Sequence, residues 1–194
     1  MKYSIIIVTK DRLDTLKNLL ESIDKHTKDY ELVVVNDAST DGTTDWLAKQ
    51  GVRYGHYSAS DAPFQSISYT SSIPVATAWN LGCEVARGEF TQILNDDMEV
   101  TDGWLDSQAE LYEYLSLSGK KIGVLAAMLL RDKGVLSRGG AFRGTQLVPV
   151  PDPEEVKVVD YSNTPFLKRE LWKKLGGFDA MAHMYYEDAN FCLK

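Results

Sequence analysis

The sequence is short of cysteine, of basic residues relative to acidic ones, and of long apolar runs, and each shortage removes a class of protein. Cys83 and Cys192 are the only two cysteines. They stand far apart, too few for a disulfide framework and without the close spacing of a zinc or redox motif, so both read as buried thiols in a reducing compartment. Lys and Arg total 21 against 28 Asp and Glu, a formal net charge of −7. A nucleic-acid partner would call for a Lys/Arg-rich face, and none is expected. The N-terminal apolar run, Ile5-Ile6-Ile7-Val8, is too short for a signal peptide or a membrane span, so the chain reads as cytoplasmic. After that run, Thr9-Lys10-Asp11-Arg12 contains no glycine. A nicotinamide-dependent oxidoreductase would carry Gly-x-Gly-x-x-Gly there. Internal repeats and a strong linker are also missing, and 194 residues at 44% hydrophobic suit one globular domain with a substantial core.

What is present centres on Phe90-Thr91-Gln92-Ile93-Leu94-Asn95-Asp96-Asp97, a short apolar run ending in an amide and two adjacent carboxylates. The run has the length of a buried strand, and the polar triplet begins where that strand would leave the sheet. In open α/β sheets ligands sit beyond the carboxyl ends of the strands. Two adjacent acids repel unless a cation or a set of donors compensates, and Mg²⁺ or Mn²⁺ takes carboxylate oxygens together with substrate phosphates. A metal–diphosphate site is one reading of the triplet; a solvated Asn/Asp turn is the other.

The rest of the chain supplies an alternating β/α frame. Residues 3–8 read as the first strand, nearly continuous in apolar character as for a parallel strand covered on both faces. Leu13, Leu16, Leu19, Leu20 and Ile23 recur at helical spacing, and residues 31–35 form a second strand, which ends in the turn- and cap-rich Asn36 to Thr43 stretch ahead of a short helix. Residues 52–57 are expected as a weak third strand, the Ser-rich stretch 58–72 as a surface loop, and 73–87 as a helix with Pro74 in its first turn and Gly88 at its end. Asp102 is expected to cap the next helix, followed by a strand over 122–130. Short antiparallel strands over 146–150 and 156–159 and a helix over 168–175 closed by Gly176-Gly177 complete the expectation. The predicted class is therefore α/β, a mainly parallel sheet flanked by helices with a smaller antiparallel part in the C-terminal half.

Acidic clusters at Asp37, Asp96-Asp97 and Glu187-Asp188 follow that frame in an order that resembles the family 2 glycosyltransferases of the GT-A fold. Thr9-Lys10-Asp11-Arg12 is similar to the family's Thr-Tyr-Asn-Arg type ending of the first strand, and Asn36 to Thr43 to its Asp-Asp-Gly-Ser-Thr-Asp-Gly-Thr. Ala78-Trp79-Asn80-Leu81-Gly82 with Ala86-Arg87-Gly88-Glu89-Phe90 resembles its Ala-Arg-Asn-x-Gly helix and Ala-x-Gly-Glu-Tyr. Asn95-Asp96-Asp97 resembles its DXD-like metal motif, and Gly176 to Asp179 with Glu187-Asp188 its late motifs.

The resemblance implies an inverting transfer of a sugar from a nucleotide-diphosphate sugar to a hydroxyl of a glycan, lipid-linked or other acceptor, with Mn²⁺ or Mg²⁺. It implies a nucleotide-binding half over 1–100 and an acceptor-side half over 101–194, truncated at the C-terminus, with a further domain or membrane contact expected beyond residue 194. Thr9, Lys10, Arg12, Asp37, Asn80 and Asp96 would contact the nucleotide, and Asp97, Asn95 and His183 the metal. Asp188 would be the general base, with Glu187 competing. Asp37 would accept from a uracil imide. Lys10 stands where an aromatic ring often stacks on the base, Trp79 replaces the usual Arg, Asn95 replaces an Asp, and Asn190 stands where a second acid often follows.

Plainer roles remain open for several of these residues. Asp37 also reads as part of a capping turn, Asp41 and Asp45 as turn and cap residues, and His183 as packed or solvated. Trp104 and Trp172 read as core, Tyr185 and Tyr186 as lining for an acceptor pocket, and Arg12 and Arg138 as phosphate contacts. Two other functions compete: a GT-A-like domain that binds nucleotide or glycan without turnover, and a sugar nucleotidyltransferase, which would want the Gly-rich phosphate loop that residues 9–12 lack.

Overall fold

The computed structural model describes residues 1–53, 64–126, 129–131, 134–137, 140–143, 146–149, 164–179 and 191. Strands β1 (Tyr3–Thr9), β2 (Tyr30–Asn36), β3 (Phe64–Ser68) and β4 (Phe90–Asn95) alternate with helices α1 (Leu13–His26), α2 (Thr43–Arg53) and α3 (Val75–Val85). After α4 (Trp104–Leu117) come the short strands β5 (Leu125–Ala126), β6 (Leu129–Arg131), β7 (Gly134–Ser137), β8 (Gly140–Arg143) and β9 (Gln146–Pro149), then β10 (Pro165–Lys168) and α5 (Arg169–Leu175). The main sheet has the order β3-β2-β1-β4-β10-β5. Its first four strands run parallel, while β10 is antiparallel to both β4 and β5. The chain moves outward from β1 to β3 and then returns to lay β4 on the other side of β1. That reversal is a topological switch point, and it opens a crevice at the carboxyl ends of β1 and β4.

Alternation along β1 explains the two helical layers. Ile5 and Ile7 pack with Leu16, Leu19, Leu20 and Ile23 of α1 and with Leu105 and Tyr112 of α4, while Ile6 faces Ala76, Trp79 and Cys83 of α3. Successive strand side chains point to opposite faces, so a strand with no polar interruption from Ile5 to Val8 must be covered twice. Each such Ile or Leu withdrawn from water contributes about 1.5–3 kcal/mol. Close approach accounts for two glycines in the motifs: a Cβ on Gly82 would lie 2.3 Å from Ile6 Cγ2, and one on Gly88 would lie 2.7 Å from the backbone nitrogen of Ser4.

Several expectations are corrected. Val52 and Arg53 belong to α2, not to a strand over 52–57, and the third strand lies inside the expected Ser-rich loop, at Phe64–Ser68. An edge strand pairs on one side only and leaves alternate residues in water, so serines are tolerated there; Phe64 is buried while Ser66 and Ser68 are exposed. α3 is shorter than 73–87, with Pro74 at its N-cap and Ala86 already extended. Asp102 does not cap α4. Gly103 does so in the left-handed conformation, and the Asp102 carboxylate instead lies 2.5 Å from His26 Nδ1 in the last turn of α1. Trp104 and Trp172 pack, partly buried, against the two core clusters, as read. The strand expected over 122–130 is divided between β5, in the main sheet, and β6, which pairs with β7. β9 pairs with β8; residues 156–159 lie outside the described residues. Cys83 is a buried free thiol, as read, and its burial pushes its pKa up; Cys192 lies outside the described residues. Among the described residues no helix is long and apolar enough to cross a membrane.

Candidate active site

The loops that leave β1 and β2 are clasped to each other before any ligand is considered. Asp11, at φ +51°, accepts the Thr40 N–H at 2.6 Å and donates its own N–H to the Ser39 hydroxyl oxygen at 2.9 Å. Asp41 accepts the Leu13 N–H at the start of α1 and both the N–H and hydroxyl of Thr43 at the start of α2. The Thr43 hydroxyl and these backbone donors hold the Asp41 carboxyl below its usual range. Asp41 therefore is the turn and cap residue its context suggests, and it serves two helices. Lys10 and Arg12 flank Asp11 and project from this clasp toward the two acidic strand ends.

At the end of β2, Asp37 is nearly buried and its carboxylate is met by three donors. Oδ1 accepts the Ile73 N–H at 2.7 Å, and Oδ2 accepts the Ser72 hydroxyl at 2.7 Å and Lys10 Nζ at 3.4 Å. Lys10 Nζ also donates to Ser72 Oγ at 2.8 Å. Asp37 thus ties the entry of α3 to the end of β2. Its donors Ser72 and Ile73 were not singled out in the sequence, because they sit in a stretch with no period and pair with a residue 35 and 36 positions away.

At the end of β4, Asp96 and Asp97 differ sharply. Asp96 is 5% exposed; its Oδ2 accepts the Thr9 hydroxyl at 2.8 Å across the β1/β4 crevice. Asp97 has a side chain 49% exposed. One nitrogen of Arg12 bridges them, 3.2 Å from Asp96 Oδ1 and 3.0 Å from Asp97 Oδ2. Burial raises the pKa of Asp96, opposed by the Thr9 hydroxyl and the Arg12 charge, and the two acids in turn raise that of Arg12. Asn95, the last residue of β4, is half-buried beside them. The side chains on offer are hard oxygen donors, which suit Mg²⁺ or Mn²⁺. Among the described residues no three His, Cys, Asp or Glu converge, so an ion held here would complete its shell with water and substrate oxygens, as Mg²⁺ commonly does beside phosphates.

Asn80 stands apart from this group. Its amide donates to the Phe178 carbonyl and accepts the Phe178 N–H, both at 2.8 Å, so both polar atoms of the side chain dock the segment after α5 onto α3. Sequence reasoning placed Asn80 against the nucleotide; its described contacts are these two with the Phe178 backbone. Glu187, Asp188, His183, Tyr185, Tyr186 and Arg138 lie outside the described residues.

Acids at the ends of β2 and β4, the two strands that flank β1, stand with Thr9, Lys10 and Arg12 at the switch point, where open α/β sheets bind ligands. The chain belongs to glycosyl transferase family 2, whose family model matches residues 4–118. It is 28% identical over 216 aligned positions to the O-antigen biosynthesis protein RfbC of Myxococcus xanthus, spanning 100% of this chain and 16% of that protein. It is 31% identical over 114 to the uncharacterized glycosyltransferase YwdF of Bacillus subtilis, covering 58% of this chain and 39% of that one. Among solved structures it is similar to S. aureus TarS 1-349 in complex with UDP, at TM-score 0.72 and 21% identity over 99% of this chain and 54% of that one. It is also similar to the mannosyltransferase PcManGT from Pyrobaculum calidifontis in complex with GDP-Man and Mn²⁺, at TM-score 0.66 and 18% identity over 98% and 50%. These likenesses make the fold GT-A. The chain spans about half of those structures and less than half of the two relatives.

Proposed function

We propose that this chain is the GT-A domain of an inverting glycosyltransferase that moves a sugar from a nucleotide-diphosphate sugar, with UDP as the preferred nucleotide, to an acceptor hydroxyl on a glycan or lipid-linked glycan. The observation that carries the reading is the Thr9–Asp96–Arg12–Asp97 constellation at the switch point of a family 2 chain. Support for a glycan acceptor comes from the likeness to a protein named for O-antigen biosynthesis, and for a uridine donor from the likeness to a UDP complex.

The residues divide the work. Thr9 fixes Asp96, and with it the position of the acid pair. Asp97, more exposed, would hold the metal and through it the diphosphate, with Asn95 beside it. A bound Mn²⁺ or Mg²⁺ would neutralise charge on the departing diphosphate, which is stabilisation where charge develops. Asp37 already accepts three hydrogen bonds, which leaves one of the roughly four acceptor positions of a carboxylate for a base imide N–H; Lys10 Nζ beside it donates to the adjacent carbonyl. Asp188 removes the proton of the acceptor hydroxyl, with Glu187 as its competitor and His183 as a further metal ligand.

Hydrolysis of a panel of nucleotide sugars with and without Mn²⁺ tests the reading, and thermal shift with UDP, GDP, dTDP and CDP ranks the bases. Mn²⁺-dependent hydrolysis of a UDP-sugar and the largest shift with UDP are expected. Nucleotide binding with no hydrolysis or transfer would favour a non-catalytic domain, and a clear GDP preference would overturn the uridine assignment.

A further inference from the structure

The site as folded already holds a cation of its own. A single nitrogen of Arg12 reaches both Asp96 Oδ1 and Asp97 Oδ2, the acids that the donor-site reading assigns to the nucleotide and the metal. Resting on that reading, we infer that Arg12 is an exchangeable counter-ion: it closes the acid pair in the nucleotide-free chain, disfavours a divalent cation there, and releases the pair when a nucleoside diphosphate arrives to take the guanidinium.

The two arms of the bridge are unequal, and the inequality says which one opens. Asp96 is buried and its other oxygen is held by Thr9, so it stays in place. Asp97 is half-exposed, and among the described residues its recorded polar contact is with Arg12, whose own side chain is 53% exposed. The loop beneath need not move, because Asp11 is pinned by Thr40 and Ser39 and the first turn of α1 by Asp41. Opening is thus a rotation of one long side chain.

Exchange also follows from the charges. Carboxylates this close repel, and the guanidinium that bridges them offsets that repulsion. A divalent ion needs the same oxygens, in contact at about 2.0–2.1 Å for Mg²⁺, and would meet the guanidinium a few ångströms away with like charge. A diphosphate removes the conflict: its oxygens accept the planar donors of arginine in paired fashion, drawing Arg12 off Asp97 while supplying oxygens to the metal. Metal and nucleotide then raise each other's affinity by the same factor.

Titration of Mn²⁺, read by the electron paramagnetic resonance of the free ion, tests this with no assay of turnover. The unsubstituted chain, Arg12→Gln, Arg12→Lys and Asp97→Asn are each titrated alone and with saturating UDP or GDP, after thermal unfolding confirms a folded chain. Arg12→Gln is expected to bind Mn²⁺ without nucleotide on the order of tenfold more tightly than the unsubstituted chain, and to lose most of the enhancement by the diphosphate. Arg12→Lys, which keeps the charge on a shorter side chain without the planar donors of the guanidinium, is expected to shift the same way by less and serves if the Gln variant does not fold. Unchanged or weaker Mn²⁺ affinity in both Arg12 variants, with binding abolished by Asp97→Asn, would overturn the exchange and leave the donor site standing. Mn²⁺ affinity indifferent to Asp97→Asn would overturn the donor-site reading and the exchange with it.

Discussion

Two clusters of carboxylate and arginine sit at opposite ends of the same sheet, and they are built for opposite purposes. At the amino end, Glu31 of β2 is 0% exposed. Its Oε1 accepts the Ser4 hydroxyl at 2.5 Å and the N–H groups of Arg87 and Gly88, while Oε2 takes Arg87 Nε at 3.0 Å and Nη2 at 2.9 Å. Both oxygens are fully engaged, and the cluster ties β1 and β2 to the turn that enters β4. At the carboxyl end, Arg12 serves two acids with one nitrogen, and Asp97 is half in water. A saturated, buried ion pair fixes geometry; an exposed one with spare donors and acceptors has bonding capacity left for a ligand. The difference teaches that an Arg–carboxylate contact in this chain is read by what remains unsatisfied, not by its distance.

The largest effect is expected where the pair is buried. Glu31→Ala takes the acceptor away from the Ser4 hydroxyl and from the Arg87 and Gly88 N–H groups, at about 1–3 kcal/mol for each buried donor left unsatisfied, so stability in urea unfolding should fall by about 3 kcal/mol or more. A loss under about 1 kcal/mol would break the contrast between the two ends.

The next effect sharpens the contrast from the other side, because it should leave stability alone. If Asp188 is the base, Asp188→Asn keeps size and much of the hydrogen bonding but cannot accept the acceptor proton as a carboxylate does. Transfer should fall by about 10²-fold or more, with donor affinity in calorimetry little changed. Loss with Glu187→Gln and retention with Asp188→Asn would exchange the two roles.

The smallest effect concerns the clasp that carries Lys10 and Arg12. Asp41→Ala removes acceptors from the first turns of α1 and α2 and should cost about 1 kcal/mol at neutral pH. Because the folded pKa of Asp41 is depressed, its charge-dependent share is fully present above the unfolded value of about 3.9 and is lost as pH falls through the folded one. The stability difference between the unsubstituted chain and Asp41→Ala should therefore be flat from pH 7 to about 5 and shrink below about 4. A difference that grew on acidification would contradict the hydrogen bonds drawn here.

Legibility in the sequence followed the same division between saturated interior and open end. β1, β2 and β4 carry runs buried on both faces, and α1 carries its apolar stripe at regular spacing, so local pattern alone located them. β3 escaped because an edge strand of Phe64, Ile67 and serines has little pattern to offer, and the α4 cap escaped because Asp102 found His26, 76 residues away, in place of its own helix. At the site, the motifs pointed to Thr9, Lys10, Arg12, Asp37, Asp96 and Asp97, which the fold gathers at one sheet end. They were silent on who pairs with whom. The Arg12 bridge joins loops 84 and 85 positions apart, and nothing local reveals that Asn80 meets Phe178, 98 residues on.

The central claim is that the open end of the sheet binds a nucleoside diphosphate through a divalent cation held by Asp97. Calorimetric titration of UDP with and without Mn²⁺, on the unsubstituted chain and on Asp97→Ala, measures it directly. The unsubstituted chain should bind UDP tightly only with Mn²⁺. Asp97→Ala, substituted at a half-exposed position and so altered in stability by no more than about 0.5 kcal/mol, should lose that dependence. Metal-dependent UDP affinity equal in the two chains would contradict the account.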